Sequence, residues 1–249
     1  MKDGGWTFIS HSHKDIDKVR LIRNELEKRG FEPLIFYLKC LSDNDEIEDL
    51  IKREINERTW FIYVESENSK NSKWVQTERD YIKSLKDKKV FTIDISKDIN
   101  EQLSQIELIT RQMKVFISYS SKDLMIYNKI KSRLLQKDML ILSDLDSISV
   151  NWVSAMNNAI IESSRDGFVL LILSKNSIKS KWVEYEIREV MDNNGKLIII
   201  NVGGVDFKES NLYYSLKCYR IINVSEDITE SELDEIINVI MRNVMFISC

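Results

Sequence analysis

The sequence predicts two α/β units in tandem, each a parallel sheet with helices on both faces. Three observations predict it: an internal duplication, strand-length and helix-period apolar patterns that alternate within each copy, and a length of 249 residues, which suits two domains of ordinary size. Sliding the chain against itself by 108 positions sets Phe8-Ile9-Ser10-His11-Ser12-His13-Lys14-Asp15 on Phe116-Ile117-Ser118-Tyr119-Ser120-Ser121-Lys122-Asp123, with six identities in eight. The same offset sets Ser66 through Glu78 on Ser174 through Glu186, with eight identities in thirteen, Trp74 falling on Trp182 and Glu78 on Glu186. Two separated matches at one offset imply a duplication.

Within the second copy the first strand is expected at Lys114 to Ser118. A helix beginning near Asp123 follows, with an apolar row at Leu124, Tyr127, Ile130 and Leu134. The first copy repeats that row as Ile16, Val19, Ile22 and Leu26. Further strands are expected at Leu140 to Leu142, Phe168 to Leu173, Leu197 to Val202 and Tyr219 to Val224. Helices are expected near Trp152 to Ser163, Lys181 to Asn193 and Glu230 to Phe246. This is the pattern of a doubly wound, flavodoxin-like parallel sheet. The first copy is trimmed after its fourth strand, Lys89 to Ile95. Asp98 to Arg111 is either a last helix that doubles as connector, or holds a short fifth strand at Ile106 to Thr110. The expected domains are residues 1–111 and 112–249.

Composition narrows the function classes. A net charge of −4, with basic and acidic residues interleaved, offers no single-sign surface for a polyanion, so nucleic acid is not expected as a partner. The longest apolar runs have strand length, far below the roughly 20 residues of a membrane span, and the start of the chain has no signal-peptide pattern. A cytoplasmic protein without membrane contact is expected. Cys40, Cys218 and Cys249 fit neither a disulfide framework nor a metal clip, and with His11 and His13 the only histidines a zinc site is not expected. Gly203-Gly204 reads as a turn, not a phosphate loop.

The Phe116-to-Asp123 segment and Ser180-Lys181-Trp182-Val183-Glu184-Tyr185-Glu186 together resemble the TIR (Toll/interleukin-1 receptor-like) family, and the resemblance extends once over each copy. It implies two TIR domains. In NAD-cleaving TIR proteins the glutamate four residues after the tryptophan is the catalytic carboxylate, which falls here on Glu186, with Glu78 its counterpart. No cofactor is implied, because NAD is the substrate. The resemblance also implies assembly with other TIR domains and a setting in bacterial antiviral defence, and the Lys-, Ile- and Asn-rich composition suits an AT-rich bacterial genome. A separate sensor or effector protein, or a direct ligand, is the expected trigger.

The residue chemistry agrees with that role. Four apart on a helix, Trp182 and Glu186 project from one side, as do Trp74 and Glu78. An indole face holds the cationic nicotinamide ring, and a fixed carboxylate stabilises the oxocarbenium character that develops at ribose. The loop of Tyr119, Ser120 and Ser121 and the loop Ser174 to Ser180 should leave the carboxyl ends of neighbouring strands and form two walls of one pocket. Ser118, Ser120 and Ser121 are candidates for the diphosphate. His11 is either a phosphate ligand or proton shuttle, or an ordinary loop residue, and Asp15 and Asp123 read as N-caps.

After its second strand the family carries an acidic residue, a glycine and an aromatic residue. The second copy offers Asp144 and Trp152, with Val150 where the glycine is expected; Leu38 to Glu48 of the first copy lacks both glycine and tryptophan. The second copy is therefore the expected active unit. The competing reading is a non-catalytic adaptor that acts by TIR–TIR assembly.

Overall fold

A computed structural model describes residues 2–35, 44–142, 152–208 and 210–243. The elements are β1 (Lys2–Asp3), β2 (Trp6–Ser10), α1 (Ile16–Lys28), β3 (Glu32–Leu34), α2 (Asn44–Glu57), β4 (Trp60–Glu65), α3 (Glu67–Lys70), α4 (Lys73–Ser84), β5 (Lys89–Asp94) and α5 (Ile99–Met113). They continue as β6 (Lys114–Ser118), α6 (Leu124–Leu135), β7 (Leu140–Leu142), α7 (Trp152–Asp166), β8 (Phe168–Leu173), α8 (Lys181–Asp192), β9 (Leu197–Val202), α9 (Tyr213–Leu216), β10 (Arg220–Val224) and α10 (Glu230–Asn243). The chain divides into two compact units, Gly4–Thr110, and Arg111–Cys249 together with Met1–Asp3.

The first unit is a four-stranded parallel sheet in the order β3-β2-β4-β5. The second has the order β1-β7-β6-β8-β9-β10, in which five strands are parallel and β1 runs antiparallel along the edge strand β7. Both are the doubly wound sheets that the alternating pattern predicts. β8 and β9 are buried at every position because helices cover both faces, so their sequences are unbroken apolar runs. β5, the edge of the shorter sheet, instead mixes half-buried and exposed positions around the buried Ile93, with Val90 45% exposed.

The apolar rows behave as helical periodicity demands. Val19, Ile22 and Leu26 of α1 and Tyr127, Ile130 and Leu134 of α6 are buried. Leu124, expected in that row, is 45% exposed, because it opens the helix before the row turns toward the sheet. Asp98 to Arg111 resolves in favour of helix: α5 buries Gln102, Ile106, Ile109, Thr110 and Met113, a spacing of three and four that a strand cannot present to one side. α1 ends on Gly30 at φ 87°, with Gly30 N–H donating to Glu27 O and Phe31 N–H to Leu26 O. The second copy makes the same turn with Asp138 at φ 55° and the same pair of backbone bonds. Gly203 and Gly204, at φ 68° and 60°, form the expected turn. Among the described residues no helix is long and apolar enough to cross a membrane.

Candidate functional site

In an open sheet of order β7-β6-β8-β9-β10 the strand order reverses between β6 and β8, and ligands of such sheets bind beyond the carboxyl ends of the strands at that point. Ser118 is the last residue of β6, and its Oγ donates a 2.5 Å hydrogen bond to Oε2 of Glu186 on α8. Glu186 is only 2% exposed. α8 is capped at its start by Ser180, whose Oγ accepts from Val183 N–H, and it buries Val183, Ile187 and Val190 against the sheet, which carries Glu186 inward with that row. The first copy repeats the arrangement. Ser10 at the end of β2 donates a 2.5 Å hydrogen bond to Oε2 of Glu78 on α4, whose first turn is capped by Ser72. Burial pushes the Glu78 carboxyl up to about 7, with the Ser10 hydrogen bond pulling the other way.

The two aspartates expected as N-caps do something else. Neither side chain caps its helix. Asp123, 6% exposed, accepts at Oδ2 from Ser174 Oγ and at Oδ1 from Asn176 Nδ2, both at 2.6 Å. Asp15 accepts from Ser66 Oγ and Asn68 Nδ2 at the same 2.6 Å. Each aspartate thus ties the loop after the first strand to the loop after the third. The two loops expected as facing walls of a pocket are joined directly. The signal for this tie was in the sequence, as a Ser-x-Asn repeated at the offset of the aspartates, and it was not distinguishable from capping without the fold.

Trp182 is half-buried, with its ring 5.7 Å from that of Tyr185, and Tyr185 Oη donates to Asn157 Oδ1 on α7. In the first copy Trp74 and Glu78 line one shallow cleft between α4 and α2, shared with Ile51, Lys52, Ile55 and Tyr81. Of the other expected residues, Tyr119 is buried to 9% and stacks on Tyr127 at 4.1 Å, which makes its ring part of the α6 packing. Ser120 is buried and Ser121 exposed beside it. Ser118, a candidate for the diphosphate, is engaged with Glu186. His11 is partly buried with Nδ1 3.2 Å from Ile9 O; burial first of all holds its pKa below the ordinary value. Asp144 lies outside the described residues, as does the side chain of Trp152 at the start of α7. So do residues 36–43, which hold most of the corresponding segment of the first copy.

Comparison with known proteins fits these observations to one family. The family model described as TIR domain matches residues 7–112 and again residues 115–237. No curated protein matches the chain. Among solved structures, the crystal structure of a glycine-to-proline variant of SsGBP aligns over 98% of this chain and 99% of that one, at 11% identity and a TM-score of 0.33, a likeness too slight to carry any argument. With a buried glutamate joined to the end of the first strand in each copy, and the family model covering each copy in turn, the chain belongs to the TIR domain family twice over.

Proposed function

We propose that this protein cleaves the bond between nicotinamide and ribose in NAD, as a glycohydrolase or an ADP-ribosyl cyclase, in bacterial antiviral defence signalling. The observation that carries the reading is the serine–glutamate pair at the point where strand order reverses, present in both copies with the same atoms and distance. Glu186 is the carboxylate of the active unit. On NAD entry it exchanges its bond with Ser118 for the reacting ribose, and it stabilises the oxocarbenium character that develops as nicotinamide leaves. Trp182, one turn earlier on α8, stacks on the cationic nicotinamide ring, an interaction of about 1–2 kcal/mol when water is excluded. Attack by water gives ADP-ribose, and attack by a second group of the same ADP-ribosyl unit gives a cyclic product. Glu78 and Trp74 form the counterpart in the first copy, whose role is that of a neighbouring TIR domain held at high effective concentration by the covalent link. Ser120, Ser121, His11, Asp144 and Trp152 stay in the proposal as residues bordering the substrate.

One observation favours the adaptor reading instead: Glu186 is 2% exposed and already satisfied by a serine, as a structural carboxylate would be. The test is incubation of the purified chain with NAD, with chromatographic separation of nicotinamide, ADP-ribose and cyclic product, for the wild type, Glu78→Gln, Glu186→Gln and the double variant. Turnover that survives in the double variant, or is absent from the wild type together with candidate activators, moves the assignment to an adaptor that works through TIR–TIR contacts.

A further inference from the structure

The two copies differ sharply on one face of α4. Trp74, Thr77, Glu78 and Tyr81 run along the cleft with α2, whereas Arg79, Ile82 and Lys83 turn toward β4 and β5. On that second face the first copy holds an open cleft of about 100 Å³, walled by Arg79 and Lys83, by Phe61 and Tyr63 of β4 and by Val90 and Thr92 of β5. The counterparts follow from strand pairing, because Phe61 pairs with Val90 as Val169 pairs with Leu197. In the second copy the same positions are Ile187, Val169, Leu171, Leu197 and Ile199, each 5% exposed or less, with Met191 in place of Lys83. Where one copy packs a closed aliphatic layer, the other surrounds open space with a guanidinium, an ammonium and hydroxyl groups.

Arg79 and Lys83 place two positive charges beside this cleft. The Arg79 guanidinium lies over the Tyr63 ring, 4.7 Å from its centroid, and is held in place by that contact. Among the described residues no carboxylate pairs with Arg79 or with Lys83. Two like charges four residues apart on a helix repel, and an anion between them removes the repulsion. Val90, 45% exposed, offers apolar surface against which a ring or sugar face can lie.

We propose that this cleft is a binding site for a small phosphorylated molecule, with its phosphate between Arg79 and Lys83 and its remaining body along Val90. The site is separate from the NAD reading and does not depend on it. It adjoins that reading at one residue, since Ser10 lines the cavity and also donates to Glu78. An occupant there therefore lies beside the residue whose hydroxyl holds the carboxylate of the first copy.

The test is calorimetric titration of the full chain with adenosine 5′-monophosphate and ribose 5-phosphate, with adenosine, inorganic phosphate and a glutamate-rich peptide as comparison arms. At least one phosphorylated probe is expected to bind, and Arg79→Gln and Lys83→Gln are each expected to weaken it by about tenfold or more. The triple variant Arg79→Ile, Lys83→Met, Thr92→Ile installs the residues of the second copy and is expected to abolish binding; thermal melting reports whether it folds, and the two Gln variants decide if it does not. Trp182→Ala and Glu186→Gln should bind as the wild type does. Failure of both phosphorylated probes to bind, binding unaltered in the Gln variants, loss in the Trp182 or Glu186 variants, or a preference for inorganic phosphate or for the peptide would each overturn the proposal.

Discussion

Ser118 and Glu186, 68 residues apart, meet through a 2.5 Å hydrogen bond at the carboxyl end of β6, and Ser10 and Glu78 meet in the same way across the same separation. A carboxylate taken that far out of water leans on its donor. Ser118→Ala removes the hydroxyl while leaving the backbone of β6 in place. It is expected to lower stability by about 1–3 kcal/mol, the usual cost of stripping a donor from a buried polar group. Urea unfolding of the two proteins measures it, and an unchanged midpoint would mean that the bond contributes nothing to folding.

Asp123 separates two accounts of one residue. As an N-cap it would tolerate Asp123→Asn almost without cost, because asparagine caps as well as aspartate. As the tie between Ser174 and Asn176 it must accept on both oxygens, which an amide cannot do. Asp123→Asn is therefore expected to cost about 2 kcal/mol. Asp15→Asn should behave alike, since Ser66 and Asn68 repeat the geometry.

Glu78 gives a pH signature. Its folded pKa, raised by burial to about 7, stands above the ordinary 4.5 of the unfolded chain. Between those values the folded protein keeps a proton that the unfolded chain has released, so stability falls as pH rises through the window, by on the order of 3 kcal/mol in all. His11 works in the other direction: its lowered pKa removes stability as pH falls below its ordinary value of 6.5. Comparing the wild type with Glu78→Gln isolates the glutamate. The difference in unfolding free energy should slope between pH 5 and pH 7 and level off above, and a flat difference would contradict the assignment.

How much was legible in the sequence follows from what each signal depends on. The repeat and the buried strands were plain, because β8 and β9 are covered on both faces and so consist of apolar residues throughout. The pairing of tryptophan and glutamate on one helix was legible from spacing alone. Asp123 was misread because capping is a local rule, while its partners lie 51 and 53 residues away and come into reach only through the sheet. β1 carried no signal, as two residues cannot show a period. The open cavity beside Arg79 was equally hidden, since a charged residue on a helix reads as a solvated face until the second copy shows an aliphatic layer at the same place.

The role of Glu186 is tested most directly by nicotinamide release from NAD by the wild type and by Glu186→Gln, compared at equal protein concentration after thermal melting has shown both to be folded. Catalysis by this carboxylate predicts release by the wild type and a fall of at least about 100-fold in the variant, because the side chain keeps its size but loses the charge that the transition state requires. Release that persists at the wild-type rate in Glu186→Gln would contradict it.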